Sequence, residues 1–242
     1  MADEPDESRR FGTCVSAPAH HLDSGLIAVS IIDPKIEITI NGSREAIVKV
    51  SGAKAAEHRA ALIATARRLL QEQGFEGAGV AEISREAGLT QGALYSQFKS
   101  KDALAAAATR QAFADGLAAW GKLRETAPDT LRAYMDAYLS PEHSQDVGGG
   151  CLLAACLSDV RRQDPAICDA FGEGFAKLAE LVQGALPEDV PAVEARRRAL
   201  ALLSAMVGSV AMARAVEARN PELAKEIIAA ARAELDDIAV RR

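Results

Sequence analysis

Between Thr90 and Lys101 the chain reads Thr-Gln-Gly-Ala-Leu-Tyr-Ser-Gln-Phe-Lys-Ser-Lys, the segment whose residue types are best suited to recognising another molecule. Gln91, Gly92, Ala93, Tyr95, Ser96 and Gln97 are small or polar, and Leu94 and Phe98 interrupt them four residues apart. On a helix that spacing turns Leu94 and Phe98 inward and leaves a short polar face outward. A face with such short side chains lets a helix backbone enter the major groove of a duplex. A second reactive candidate is Cys151, which follows Gly148-Gly149-Gly150 where a helix begins, so that the helix dipole favours its thiolate. Cys156 lies five residues on, roughly 140° around a helix, which disfavours an intrahelical disulfide. The four cysteines (Cys14, Cys151, Cys156 and Cys168) and four histidines show no ligand-type spacing. Neither a metal site, a disulfide framework nor a cofactor is expected. No histidine or carboxylate is placed as a base for a thiol nucleophile, and His143 is the one histidine near it, so no enzyme is expected.

The elements that must hold these residues are helical. From His58, Leu62, Ile63, Ala66, Leu69 and Leu70 form one stripe, with Arg59, Arg68 and Glu72 opposite. Gly74 ends that helix and Phe75 folds back as an apolar plug. Val80, Ile83 and Ala87 mark a short second helix closed by Gly88, and Thr90 caps a third. Two short helices joined at a glycine corner, anchored by Ile83, Leu89, Leu94 and Phe98, make a helix-turn-helix.

The string Gly74-Phe75, Val80-Ala81-Glu82-Ile83 and Ala87 through Lys101, ending Leu-Tyr-x-x-Phe-x-Ser-Lys, resembles the DNA-binding domain of the TetR family. The resemblance covers about residues 56–105, roughly a fifth of the chain. It implies that Gln91, Gly92 and Ala93, after the capping Thr90, open the recognition helix close to bases and backbone. Tyr95 and Lys101 stand at positions the family uses on phosphates, with Ser96 beside them, and Gln97 is suited to a bidentate contact with adenine. The family often carries Thr near Gly79 and Arg near Ala81. Both contacts are missing here, which lowers the expected non-specific affinity.

Beyond Lys101 helices are expected over Asp102–Lys122 and Asp129–Tyr138, then a turn-rich stretch from Pro141 to Gly150. Helices restart near Cys151, Pro165, Val190 and Pro221, prolines suiting first turns. The fold class is therefore all-α: a three-helix helix-turn-helix domain at 48–104 and a larger helical domain at 105–242. The resemblance implies that the larger domain dimerises and holds a small-molecule effector. The apolar run Ala199–Ala213 followed by Pro221–Ile238 fits two antiparallel helices, whose Ala201, Ser204, Gly208 and Ala211 let a partner helix approach. Pocket candidates are Phe113, Trp120, Tyr134, Tyr138, Phe171 and Phe175, and the scarcity of charge among them points to an apolar or weakly polar ligand.

The expected function is a ligand-responsive regulator that binds double-stranded operator DNA as a homodimer, a repressor released by a small molecule. Two alternatives stay open: a thiol-based sensor of oxidants or electrophiles acting through Cys151, and a protein-interaction module of the same fold that no longer binds DNA. Charge patterning agrees with a specific binder. The net charge is -6, made of −4 over residues 1–47, +2 over 48–105 and −4 over 106–242, so the one positive segment carries the motif. No secretory signal is read, and the longest uncharged run, Ala199–Ala213, is too short to span a bilayer. A cytoplasmic protein without membrane attachment is expected. Residues 1–47 differ in character: Leu26–Ile32 and Ile36–Ile40 read as strands around Asp33-Pro34, with Asn41-Gly42 following. They are expected either as a poorly ordered extension or as a stretch outside the natural protein, which would then start at Val48.

Overall fold

The computed structural model of the chain describes residues 27–29, 36–40, 46–50 and 52–240. The chain divides into two units between Ala56 and Glu57. The first carries three short strands, β1 (Ile27–Val29), β2 (Ile36–Ile40) and β3 (Ala46–Val50), antiparallel in the order β1-β2-β3. Ile27 stands opposite Ile40, and Ile36 opposite Val50. Two of these strands coincide with the sequence reading. The third carries no strand reading in the sequence: Val48, the expected first residue of the helix-turn-helix domain, pairs with Ile38. Ile47, Val48 and Val50 are β-branched and suit a pleated strand, and a third strand stabilises what a lone hairpin holds poorly. Cys14 and the two turn signals, Asp33-Pro34 and Asn41-Gly42, lie outside the described residues.

From α1 (Gly52–Gly77) onward the chain is helical, and the second unit is all-α. Gly74 breaks α1 with φ 75° and ψ 178°, a left-handed backbone that suits glycine, and the turn it makes buries Phe75. Then follow α2 (Val80–Glu86), α3 (Gln91–Gln97) and α4 (Lys101–Thr126). The remaining elements are α5 (Thr130–Tyr138), α6 (Pro141–Gln145), α7 (Leu152–Val160), α8 (Pro165–Gly184), α9 (Ala192–Glu217) and α10 (Pro221–Val240). The stretch expected only as turns thus contains one short helix, α6. Ser140 explains it, accepting a hydrogen bond from His143 N at 3.1 Å with Pro141 in the first turn. Ser100, Asp129 and Asp164 cap α4, α5 and α8 in the same way, so these four helices start where a short polar side chain meets an orphan N–H.

One contiguous apolar core joins these helices. A close seam lies between α4 and α8, where Phe113 packs edge-on against Phe171 with ring centroids 5.5 Å apart. Gly174 permits that approach, since a Cβ there would overlap the Phe113 ring. Among the described helices α9 is the one long and apolar enough to cross a membrane by composition. One apolar face of it, with Leu202, Leu203, Met206 and Val210, is instead buried in the core. The opposite face of α9 leaves Ala201, Ser204 and Met212 exposed and Gly208 and Ala211 half-buried.

Candidate nucleic-acid interface and ligand cavity

The corner between α2 and α3 is set by Gly88, whose φ of 69° few residues with a side chain adopt. Leu89 N–H then donates to Ser84 O at 2.8 Å, closing the turn. Thr90 caps α3, its Oγ1 accepting from Ala93 N at 3.1 Å. Ile83, Leu94 and Phe98 are buried, which fixes the roll of α3 and brings one face of it outward. On that face Gln91, Gly92, Tyr95 and Ser96 are exposed, with Ala93 and Gln97 half-buried at its margins. Tyr95 is 55% exposed, a large share for an aromatic with no core role. Ser96 Oγ donates to Ala93 O at 2.7 Å, so part of its hydrogen-bonding capacity is used within the helix. Lys101 stands half-buried in the first turn of α4, directly after the capping Ser100. Gly79 gives α2 no side-chain cap and Ala81 is exposed, so these two positions offer no hydrogen-bonding side chain and the first turn of α2 carries only the acidic Glu82.

Helix α1 holds this unit on three sides. Arg59 Nη1 donates to Gln97 O at 3.1 Å, and its guanidinium lies 4.2 Å above the Phe98 ring. Arg68 pairs with Glu86 of α2 and, at 2.7 Å, with Glu72 of its own helix. Facing the larger helical part, Arg67 pairs with Asp115 of α4. Gln71 is 4% exposed, and its Nε2 donates to Gly150 O at 2.6 Å. The sequence offered no sign of Gln71, a polar residue beside a leucine stripe. Its burial is decided by the α6–α7 turn that folds over it.

That turn also borders a cavity of about 310 Å³. Of the six aromatic residues singled out in the sequence, Phe113, Tyr134 and Tyr138 line it, together with Leu117, Leu123, Leu152, Leu153, Leu178, Arg67, Asp115, His143 and Cys151. The other three candidates do not. Trp120 packs against Tyr134 at 4.9 Å and lines a second recess with Arg124 and Arg132. Phe171 is turned into the α4–α8 seam against Phe113, and Phe175 packs half-buried on the core. Helical spacing identifies apolar residues but not which side of a packed helix meets empty space, and the cavity's leucines look like any core leucines in sequence.

Electrostatically the cavity is quiet. Burial, and then the Cys151 thiol, push the Tyr134 and Tyr138 hydroxyls above their ordinary range, so both stay protonated. Burial, and then the Arg214 charge, hold His143 below its ordinary value and keep it neutral near pH 7. Arg214 does not line the cavity. It donates to His143 O and Asp146 O at 3.0 Å and to Ser144 O at 2.9 Å, fastening α6 to α9. Gly150 is required there, because a Cβ would meet Asp146 O and the Arg214 guanidinium.

Cys151 is the N-cap residue of α7 and half-buried in the cavity wall. The other described thiols are engaged: Cys156 donates to Leu70 O at 3.3 Å and Cys168 to Val160 O at 3.1 Å. Burial pushes Cys156 up to about 12, which leaves it an unreactive thiol. Among the described residues no three His, Cys, Asp or Glu side chains gather as metal ligands.

With this geometry in hand, comparison with known proteins is informative. Residues 62–108 match the family model described as bacterial regulatory proteins, tetR family. The chain is similar in structure to NemR of E. coli in its reduced form, at 21% identity and TM-score 0.65, over 76% of this chain and 98% of that one. It is similarly close to a TetR transcriptional regulator from Chloroflexus aurantiacus, at 21% identity and TM-score 0.66, over 78% and 98%. A TetR-family regulator from Agrobacterium tumefaciens matches at 17% identity and TM-score 0.63, over 77% and 100%. No curated protein matches the chain in sequence.

Proposed function

We propose that this chain, which carries the DNA-binding domain of the tetR family of bacterial regulators at residues 62–108, is a cytoplasmic homodimeric repressor released from its operator when a small molecule fills the 310 Å³ cavity. One observation carries the reading: α1 serves both regions. Arg59 and Arg68 of α1 grip α3 and α2, while Arg67 and Gln71 of the same helix grip the cavity wall and the turn beside it. A molecule that moves Gly149 and Gly150 therefore acts on the helix that carries the recognition unit. Binding and release are then linked by the difference in ligand affinity between the two arrangements.

In this reading Thr90, Gln91, Gly92, Ala93, Tyr95, Ser96, Gln97 and Lys101 meet the duplex, Lys101 and Tyr95 on phosphates and Gln97 on a base edge. The small outer face of α9 with α10 supports a four-helix dimer interface. A two-fold dimer sets two recognition helices about 34 Å apart on a roughly palindromic site. No reaction is part of this role. The test is fluorescence-anisotropy titration of duplexes from the DNA beside the gene, at two salt concentrations, with light scattering for the dimer. Specific binding weakened by Tyr95→Ala and Lys101→Ala is expected. Affinity no greater than for random DNA refutes it and favours a partner-protein role for the dimer surface.

A second reading is favoured by the position of Cys151 in the cavity wall beside Tyr138. A thiol there places an oxidant or electrophile signal at the same turn that α1 grips. DNA release by an electrophile in the native chain, absent in Cys151→Ser, is its expected signature, and release unchanged by Cys151→Ser rejects it.

A further inference from the structure

Among the described residues five buried side-chain polar atoms lack a hydrogen-bond partner, and four of them surround the α6–α7 turn. They are Gln71 Oε1, Tyr138 Oη, His143 Nε2 and Arg214 Nη1. Buried polar atoms are almost always paired, so this gathering marks a place where something else completes the set. Tyr138 and His143 both line the cavity, with their ring centroids 4.6 Å apart. Tyr138 is 7% exposed, and its hydroxyl is a polar spot in a wall whose uncharged part is mostly leucine, alanine and aromatic side chains.

Resting on the reading of this cavity as the effector site, we infer that its ligand is an uncharged, mostly apolar molecule of about a dozen non-hydrogen atoms, with one carbonyl oxygen that accepts from Tyr138 Oη. Size follows from the volume of about 310 Å³ filled at interior packing density. Polarity follows from the donors. Tyr138 stays a neutral phenol, so it offers an O–H that an acceptor oxygen satisfies, and His143 beside it adds one more hydrogen-bonding nitrogen. Absence of charge follows from the walls. The charged side chains lining the cavity, Arg67 and Asp115, are paired with each other. Arg214 stands outside the lining, with its Nε and Nη2 on three backbone carbonyls. An ionic ligand would shed its water and find no free counter-charge among the lining side chains, whereas a ketone loses little on entry.

The test uses the full chain without DNA and three rigid probes in isothermal titration calorimetry: 1-tetralone, its hydrocarbon tetralin, and the anion 1-naphthoate. The native protein binds 1-tetralone at least tenfold tighter than 1-naphthoate. Tyr138→Phe removes only a hydroxyl whose one polar neighbour in the wall with any hold on it is the weakly bonding Cys151 thiol, so its melting temperature changes little. That variant weakens 1-tetralone roughly fivefold to tenfold, the worth of one buried neutral hydrogen bond, and leaves tetralin unchanged. Equal 1-tetralone affinity in Tyr138→Phe, tighter binding of 1-naphthoate, or no binding of either neutral probe overturns the inference. A Tyr138-dependent 1-tetralone complex that leaves DNA affinity unaltered supports it and instead overturns the effector reading on which it rests.

Discussion

Replacing Gly174 by alanine tests whether the α4–α8 seam is as close as described. A Cβ at Gly174 falls on the Phe113 ring, overlapping several of its carbons. The ring cannot retreat towards Phe171, which already meets it edge-on at 5.5 Å. It must turn into the cavity it lines, or α4 and α8 must separate. Overpacking of this kind costs about 2–3 kcal/mol, against a gain of about 1 kcal/mol for removing a glycine from a helix interior. The net loss is about 1–2 kcal/mol, or roughly 3–6 °C in melting temperature for a chain of this size. Gly172, two residues earlier on α8, is the control, since a Cβ there meets nothing within 4 Å. Gly172→Ala therefore keeps only the gain and stabilises by up to about 1 kcal/mol. Urea unfolding of both variants, at one fixed protein concentration because dimerisation shifts the midpoint, gives the comparison directly. Gly174→Ala as stable as Gly172→Ala refutes the close seam. The double variant Gly174→Ala/Phe113→Leu recovers part of the loss if the ring is the obstacle.

Three further expectations follow from the same geometry. Lys101→Ala lowers operator affinity roughly tenfold and reduces the slope of log affinity against log salt by about 1, the signature of one lost phosphate contact, read by anisotropy at four salt concentrations. An unchanged slope removes Lys101 from the backbone contacts. Gln71→Ala severs the 2.6 Å bond to Gly150 O, costing about 1 kcal/mol in stability and shrinking the drop in DNA affinity that an effector produces. A full-sized drop shows that the signal takes another route. His143, held below its ordinary value by burial and then by Arg214, takes up a proton more readily unfolded than folded. Its contribution is intact above about 6.5, the ordinary histidine value, and is lost as pH falls through that value towards the folded one. His143→Gln flattens the acid side of the stability curve measured from pH 7.5 to 5, and an unaltered curve refutes the assignment.

The recognition unit was legible in the sequence because every feature it needs is local. Thr90 caps three residues ahead, Gly88 turns a corner within its own loop, and Leu94 and Phe98 mark the buried side by their spacing. The pattern of α9 was legible for the same reason, as an apolar run with small residues on the remaining face. The cavity was only half legible. Tyr134 and Tyr138 on one short helix and Phe113 on α4 line it, yet Trp120, Phe171 and Phe175 belong to equally apolar stretches and face elsewhere. What separates them is the rotation of α4 and α8 about the Gly174 contact, which depends on residues some sixty positions apart. Gln71 and Arg214 carried no signal in the sequence, and the glycine run 148–150 reads there only as a turn ahead of Cys151. Their roles appear only when the α6–α7 turn is folded against α1 and α9, where Gly150 leaves room for the Arg214 guanidinium.

Stability at that turn is bought in an unusual way. Arg214 commits a guanidinium to three backbone carbonyls without a carboxylate bonded to it, and Tyr138 and His143 bury polar atoms with no partner. Each such atom raises the free energy of this arrangement relative to one in which it is satisfied. A ligand that satisfies Tyr138 gains that difference in addition to its apolar contacts, and gains it only in the arrangement where the hydroxyl faces the cavity. That is a differential affinity between two states, the one property a ligand must have to shift an equilibrium. In the proposed effector role, the cost left at the α6–α7 turn is what an entering molecule works with: a fully satisfied turn would hold α1 more firmly and leave that molecule less with which to move the helix.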